Sequence, residues 1–298
     1  MSASNPPETS STLRLHDGRA LGYAEVGQSD GLPIFYFHGH HSSRLEVLLW
    51  TEMAITLGVR MIALDRPGIG RSAPKAGYHL LDWPDDVVEV ANQLGIERFA
   101  VAGTSGGGAY ALACAYKIPH RLRACGLICS IAPGDLLTKD APRRIRALWW
   151  MGEHLPWLYR LSIRLLMVAV GSDAASIDKR LARSSRFVGE PDREVLQNAQ
   201  TRRLLAQTLA ECTRQGARGN LDEAVLFVRP WGFKVEEIAL EKIFLWHGAR
   251  DRFVPVSLAH ALAQALPSCT ATFYPDEGHF STPGNHGQDI LQTLSSQR

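Results

Sequence analysis

Short apolar runs alternate with helical patterns through the first half of the chain, and this alternation restricts the fold more than any other feature. The runs have the length of buried strands and lie at 34–37, 60–64, 99–102 and 125–131. Strands that alternate with helices form a parallel sheet. A hairpin precedes them, because Asp17-Gly18 separates strands predicted at 13–16 and 20–26. Ser43 and Glu46 have the spacing of a capping box, which predicts that the first helix opens there.

From residue 135 to residue 241 the strand pattern stops. Helices are predicted instead, at 142–152, 156–170, 174–184 and 201–215. Strands return at 243–246 and 270–274. The sequence therefore predicts an α/β core made of residues 13–134 and 242–298, interrupted by a helical cap at 135–241.

Composition excludes several classes of protein. A chain of 298 residues that is 45% hydrophobic can bury a large core, and a formal net charge of +2 gives no sign of a nucleic-acid partner. Five scattered cysteines fit a reducing compartment, so a cytoplasmic location is expected. Residues 1–12 are expected to form a disordered lead-in without a signal peptide, and the longest apolar run, 165–171, is too short for a transmembrane segment.

The segment Gly103-Thr104-Ser105-Gly106-Gly107 directly follows the apolar run at 99–102 and carries the candidate nucleophile. Its G-x-S-x-G pattern is typical of the nucleophile elbow, a sharp strand-to-helix turn that exposes a serine hydroxyl. A Gly/Ser-rich turn is also typical of a tight connection or a phosphate-binding loop. The five residues alone leave these interpretations open.

A nucleophilic serine needs a base, which in turn needs an orienting group. Functional groups of an open parallel sheet collect at the carboxyl ends of its strands. Asp251 follows the predicted strand at 243–246 and His279 follows the one at 270–274. The chain order Ser105, Asp251, His279 is the one expected for a triad built on this elbow.

With these motifs in place, the chain resembles the α/β-hydrolase superfamily, in the branch with a helical cap between the sixth and seventh strands. Besides the elbow, four segments in the family's order carry the resemblance: FHGH at 37–40, DRPGIGRS at 65–72, HGARD at 247–251 and EGH at 277–279. The resemblance covers nearly the whole chain and implies an eight-stranded, mostly parallel sheet flanked by helices. It implies that Ser105 attacks, that His279 relays the proton and that Asp251 orients the imidazole. It also implies an oxyanion hole formed by the backbone N–H groups of His40 and Gly106, and no cofactor.

Alternatives exist for two of the triad positions. His286 is a second candidate base, although only His279 follows a glycine at the strand exit. Asp135, after the sixth strand, is the acid that some members of the superfamily use. Asp251 would then be an acid near the start of a helix.

The remaining candidates concern a metal and the substrate pocket. His38, His40 and His41 are close enough to suggest a metal site, but they lack an acid at ligand spacing, so no metal is expected. The pocket candidates are mostly aromatic: His41, Trp149, Trp150, Trp231, Phe253 and Phe280. The aromatic residues and excess basic charge of the cap would also suit a membrane-facing surface, although helix packing or a pocket wall is the more common role.

The sequence thus predicts a carboxylesterase-like serine hydrolase that cleaves an ester, lactone or related acyl bond of a small apolar substrate. A C–C bond hydrolase or a cofactor-free haloperoxidase-like enzyme with the same triad is an alternative. In many such relatives the serine is followed by Met, where this chain has Gly106. A non-catalytic receptor for a small ligand is the alternative from another class. The substrate, the geometry of the cap and the oligomeric state are left open.

Overall fold

An eight-stranded, mostly parallel sheet runs through the molecule. The computed structural model describes residues 8–137, 141–184 and 188–297. The strands are β1 Glu8–Arg14, β2 Ala20–Gly27, β3 Leu32–Phe37, β4 Val59–Leu64, β5 Phe99–Thr104, β6 Leu122–Ile128, β7 Ile243–Gly248 and β8 Thr270–Tyr274. Their order is β1-β2-β4-β3-β5-β6-β7-β8, with β2 antiparallel to both its neighbours and every other pair parallel. The predicted α/β fold is confirmed.

Helices cover both faces of this sheet. Those of the described residues are α1 Thr51–Thr56, α2 Trp83–Gln93, α3 Gly107–Lys117, α4 Arg143–His154, α5 Pro156–Val170, α6 Ala174–Ser184, α7 Glu190–Gln197, α8 Ala199–Cys212, α9 Arg218–Val228, α10 Val256–Ala265 and α11 Ser281–Ser295. None of them has the length and apolar character needed to cross a bilayer.

The sheet is buried on both sides because alternate residues of each strand meet different helices. In β3, Phe35 and Phe37 share a core with α2, α3 and α10. Ile34 and Tyr36 point into a second core with α1 and α11. The three layers hold the carboxyl ends of β3 and β5 to β8 along one edge, where the candidate residues follow the strands.

Helices α4 to α9 lie between β6 and β7, where the sequence predicts a cap. Three of them, α4, α5 and α9, share a small apolar core around Tyr159 and Val228. The sequence pattern missed α7 and α9, since α7 is short and polar while α9 is buried on most sides. The limits of the cap at residues 135 and 241 stay a prediction.

Two local predictions are wrong. Residues 8–12 belong to β1 and are not disordered, because they pair with β2, while residues 1–7 of the predicted lead-in lie outside the described residues. Ser43 and Glu46 form no capping box. The Ser43 side chain caps nothing, and a 3₁₀ helix, Arg44–Trp50, precedes α1.

Candidate active site

The turn between β5 and α3 holds Ser105 in a backbone conformation that few non-glycine residues adopt. Its φ is +54°. The turn is possible because glycines stand where the chain passes close to itself: a Cβ at Gly107 would lie 2.0 Å from the carbonyl oxygen of Phe37. The Ser105 N–H donates to the carbonyl of Ile128 at 2.8 Å, and its carbonyl accepts from Ile131 N–H at 3.1 Å. The strained serine is therefore held in place at the amino end of α3.

His279 and Asp251, which follow β8 and β7, form a buried pair. His279 Nδ1 lies 2.7 Å from Asp251 Oδ2, and only 7% and 9% of the two residues are exposed. Oδ1 of Asp251 accepts the backbone N–H groups of Phe253 at 2.7 Å and Val254 at 2.9 Å. Because the carboxylate can only accept, Nδ1 carries the proton, which leaves His279 Nε2 available as a base.

The charges of this pair reinforce each other. Burial by itself would raise the pKa of Asp251, but the charge of His279 and its hydrogen bond outweigh burial and leave the pKa below its usual value. Burial likewise opposes the charged form of His279, yet the Asp251 carboxylate raises the pKa of the imidazole above its usual value. His279 therefore holds a proton more readily than a histidine in water.

Among the described residues, the hydroxyl of Ser105 makes no hydrogen bond to His279. Ser105 lies at the same edge of the sheet as the buried pair, since β5, β7 and β8 run parallel. Catalytic hydrogen bonds are often long or poorly aligned without substrate. The structure thus joins two of the three residues directly and places the third at the same edge.

The two predicted oxyanion donors lie beside the serine. A Cβ built on Gly106 would be 3.2 Å from the backbone nitrogen of His40, and one on Gly39 would be 3.6 Å from Ser105 Cβ. Neither the His40 nor the Gly106 N–H donates to an acceptor on the described residues. These two N–H groups could hold an oxygen anion close to the serine.

The loop that carries His40 is fixed by buried charges that the sequence interpretation missed. Arg66, 1% exposed, donates to the carbonyl of His38 at 2.6 Å and to that of Gly39 at 2.9 Å. Its guanidinium pairs with Glu223 of α9. On the other side of the loop, Glu46 accepts the Gly39 N–H at 3.1 Å. Arg66 lies in the DRPGIGRS segment, which gave a signal. The sequence predicts Glu46 as part of a capping box, and nothing in the sequence points to Glu223.

Asp192 of α7 is a second residue that the sequence did not reveal. It is 0% exposed, and its carboxylate accepts the backbone N–H groups of His279 at 3.0 Å, Phe280 at 2.8 Å and Ser281 at 3.1 Å. These N–H groups belong to the start of α11, where a helix favours a negative charge. A helix of the predicted cap therefore holds the segment that carries the candidate base.

Several pocket candidates lie near the site. The rings of Phe253 and Phe280 lie 5.0 and 5.5 Å from the ring of His279, measured between centroids. The ring of His41 stacks on that of His40 at 3.8 Å. Trp149 packs against Gly134, after β6.

Two pocket candidates are placed elsewhere. Trp150 is 55% exposed and stacks on His154 of its own helix. Trp231 is buried in the core beside Phe233 and donates to the carbonyl of Phe227. Neither ring has a contact with Ser105, Asp251 or His279 among the described residues, and the pocket role of both stays a prediction.

The alternative base and acid also lie apart from the buried pair. His286 Nε2 lies 3.2 Å from Glu277, and its ring stacks on Tyr274. Asp135 is in a short 3₁₀ helix, Gly134–Leu136, after β6. Among the described residues, neither forms a hydrogen bond or ring contact with His279, so Asp251 is the acid that the geometry favours.

The histidines of the His40 loop are already engaged in hydrogen bonds. Nδ1 of His38 donates to the carbonyl of Gly39 at 2.9 Å, and Nε2 of His40 donates to that of Asn220 at 3.2 Å. Burial lowers the pKa of His40 to about 4 and that of His41 to about 3, so both rings are neutral near pH 7. These histidine rings therefore place polar nitrogen atoms near Ser105 without adding a positive charge.

One group of described residues has donor atoms close enough to hold a metal: Cys129, His247 and Asp251, within 4.8 Å of one another. Burial raises the pKa of the Cys129 thiol well above its usual value. His247 Nε2 donates to the carbonyl of Val254 at 3.0 Å, and Asp251 already binds His279. The donors are therefore committed to protein contacts that a metal would have to break.

Comparison with known proteins agrees with the observed fold. A family model described as the alpha/beta hydrolase fold matches residues 33–283. An uncharacterized hydrolase of Bacillus subtilis, YcgS, is 28% identical over 49% of this chain and 50% of its own, and a non-heme chloroperoxidase of Streptomyces lividans is 31% identical over 41% and 45%. The chain thus spans half or less of the length of these curated relatives.

A solved structure shows the same fold. It is an esterase of Exiguobacterium antarcticum, with a TM-score of 0.68 and 17% identity, and the match covers 96% of this chain and 99% of the esterase. The chain belongs to the α/β-hydrolase fold family.

Proposed function

We propose that the protein is a serine hydrolase that cleaves carboxylic esters, or related acyl bonds such as lactones, of small apolar molecules. The observation that supports this most strongly is the buried Asp251–His279 pair, in which His279 Nδ1 lies 2.7 Å from Asp251 Oδ2. Ser105, with a backbone φ of +54°, lies in the elbow turn at the same edge of the sheet. A neutral serine hydroxyl becomes a nucleophile only with such a base.

In the proposed reaction, Ser105 Oγ attacks the substrate carbonyl carbon while His279 Nε2 takes its proton. The N–H groups of His40 and Gly106 stabilise the oxyanion. The imidazolium then protonates the departing alcohol, and an acyl-enzyme remains. Water, deprotonated by His279, attacks this ester and releases the acid and the free serine.

The apolar substrate class is inferred from the side chains around the site. Phe253 and Phe280 flank His279, and Phe227 lies against Gly106, where a Cβ would meet its ring at 2.8 Å. The neutral rings of His40 and His41 provide no charge for an anionic substrate. A small acyl group with a neutral alcohol fits this lining best.

A haloperoxidase-like reaction on the same serine is the second candidate, and similarity to the Streptomyces lividans chloroperoxidase favours it. Peroxide-dependent halogenation of monochlorodimedone distinguishes it from plain ester cleavage. Under this proposal, hydrolysis of p-nitrophenyl esters proceeds without peroxide. Halogenation without esterase activity would favour the second candidate.

The test is hydrolysis of p-nitrophenyl acetate and butyrate by Ser105→Ala, His279→Ala and the matched control His286→Ala. We expect the first two changes to lower kcat/KM by about a thousandfold or more, since members of a triad act as a unit. His286→Ala should keep most of the activity, because His286 bonds to Glu277 away from the buried pair. Full activity in Ser105→Ala, or labelling of a different residue by a serine-reactive phosphonate, would contradict the proposal.

A further inference from the structure

Exposed apolar side chains of the described residues concentrate on one helical hairpin, α4 and α5. Large hydrophobic residues that are well exposed are Leu148, Trp150, Trp157, Leu161, Leu165, Leu166, Val168 and Phe253. All but Phe253 belong to this hairpin. Single exposed apolar residues are normal on a protein surface, but a contiguous group marks an interaction site.

On α5 these residues form a stripe, which we call the α5 stripe: Trp157, Leu161, Leu165 and Val168, at positions i, i+4, i+8 and i+11. This spacing places them on one face of the helix. Their exposed fractions run from 45% at Leu161 to 71% at Val168. The opposite face of α5 is covered within the fold, since Tyr159 and Ile163 pack against α9. The helix is thus apolar on two faces, of which the fold covers one.

The charge around the stripe identifies its partner. Between residues 143 and 170 the chain has five arginines and one glutamate. Arg164 lies within the stripe by helical spacing and is exposed, and it forms no ion pair with the described residues. Basic charge around exposed tryptophan and leucine is the pattern of helices that lie in the interface of an anionic bilayer. A second copy of the chain is a poorer partner, because a two-fold contact would place these arginines against each other.

We propose that the α5 stripe docks on an anionic lipid surface, with Trp157, Leu161 and Leu165 in the acyl boundary and Arg164 on a lipid phosphate. The hairpin adjoins the candidate site, because Arg144 of α4 donates to the carbonyl of Arg252, next to Asp251. Docking therefore brings the rim of the site to the bilayer, where apolar esters accumulate. The inference is independent of the proposed reaction, since binding can be measured without turnover.

The experiment is sedimentation of the purified full chain with vesicles of phosphatidylcholine alone or with 30% phosphatidylglycerol. We expect binding to the anionic vesicles that weakens in 0.5 M salt, because the phosphate contacts are screened. Leu161→Gln with Leu165→Gln should lower the partition coefficient about tenfold or more. Arg164→Gln should lower it about fivefold.

Leu166→Gln is the matched control, since Leu166 is 50% exposed on the same helix but lies off the stripe. It should bind as the unaltered protein does. Thermal melts show that each variant is folded, and light scattering gives its oligomeric state. Absence of vesicle binding, equal loss in Leu166→Gln, or a dimer that the double variant converts to a monomer would overturn the proposal.

Discussion

At the residue scale, the two oxygens of Asp251 have separate tasks. Oδ1 accepts two backbone N–H groups, which fix the carboxylate, and Oδ2 accepts the proton of His279 Nδ1. The carboxylate thereby selects the tautomer that leaves Nε2 free to act as a base. It also raises the pKa of His279, so the base keeps its proton to a higher pH than a histidine in water does.

Asp251→Asn should therefore change both the rate and its pH dependence. The expected loss in kcat/KM toward p-nitrophenyl acetate is about a thousandfold or more, because an amide can stabilise the wrong tautomer. The acid limb of the remaining activity should move to lower pH, since the charge that favoured the imidazolium is gone. Rate profiles between pH 5 and 10 measure both effects.

Asp276→Asn is the matched control for this prediction. Asp276 lies near the same strand ends, but it is exposed and pairs with Arg250. Its removal should leave the profile in place. An acid limb of Asp251→Asn identical to that of the unaltered protein would show that Asp251 does not set the pKa of the base.

At the scale of elements, α7 joins the cap region to the candidate base. Asp192 satisfies three N–H groups at the start of α11, beginning with that of His279 itself. Burial lowers the pKa of His279, and the Asp251 carboxylate more than offsets this effect; the charge of Asp192 raises the pKa by a smaller amount. Asp192 is therefore expected to be a positioning residue and not merely a helix cap.

Asp192→Asn tests this role. We expect unfolding to become easier by about 2 kcal/mol, because a buried carboxylate that accepts several N–H groups is replaced by an amide that cannot accept them all. We also expect kcat to fall more than KM changes and the acid limb to move to lower pH. The control is Asp222→Asn. Asp222 lies on α9, is half-exposed and pairs with Arg160 of α5. A loss of stability with an unchanged pH profile would mean that Asp192 only supports the fold.

Sequence patterns revealed the parts of the site that are local in the chain. Ser105, Asp251 and His279 lie within five residues of the ends of β5, β7 and β8, so strand order and motif spacing were enough to propose them as candidates. Asp192 acts on a residue 87 positions away, and Glu223 pairs with Arg66 across 157 positions. Such contacts depend on how α7 and α9 pack, which no local pattern encodes. The same reason explains Trp150 and Trp231, whose identities suggested a pocket while helix packing placed one on the surface and one in the core.

At the scale of the whole molecule, α9 meets the core beside neutral histidines, of which His38 is buried and His40 and His41 are partly buried. Nε2 of His40 reaches the carbonyl of Asn220 in α9, and its ring edge lies against Phe227. His38 and His41 lie beside it, and burial lowers the pKa of all three. A proton on His40 would add a positive charge beside Arg66, which already pairs with Glu223, whose Oε2 lies 4.0 Å from His40 Nε2.

The free energy of unfolding should therefore fall as the pH falls from about 6.5 toward about 4. In this window the unfolded chain binds a proton at His40, while the folded chain does not until its lowered pKa, about 4, is reached. Each such histidine costs about 1.4 kcal/mol of stability per pH unit across the window. His40→Gln should remove the contribution of this one histidine, which is about 2 kcal/mol between pH 6.5 and pH 4.5. Urea unfolding at pH 6.5 and pH 4.5 measures the difference, with His260→Gln, a change at an exposed histidine, as the control. If the unaltered protein and His40→Gln lose stability equally over this interval, His40 does not have the lowered pKa that its packing against α9 implies.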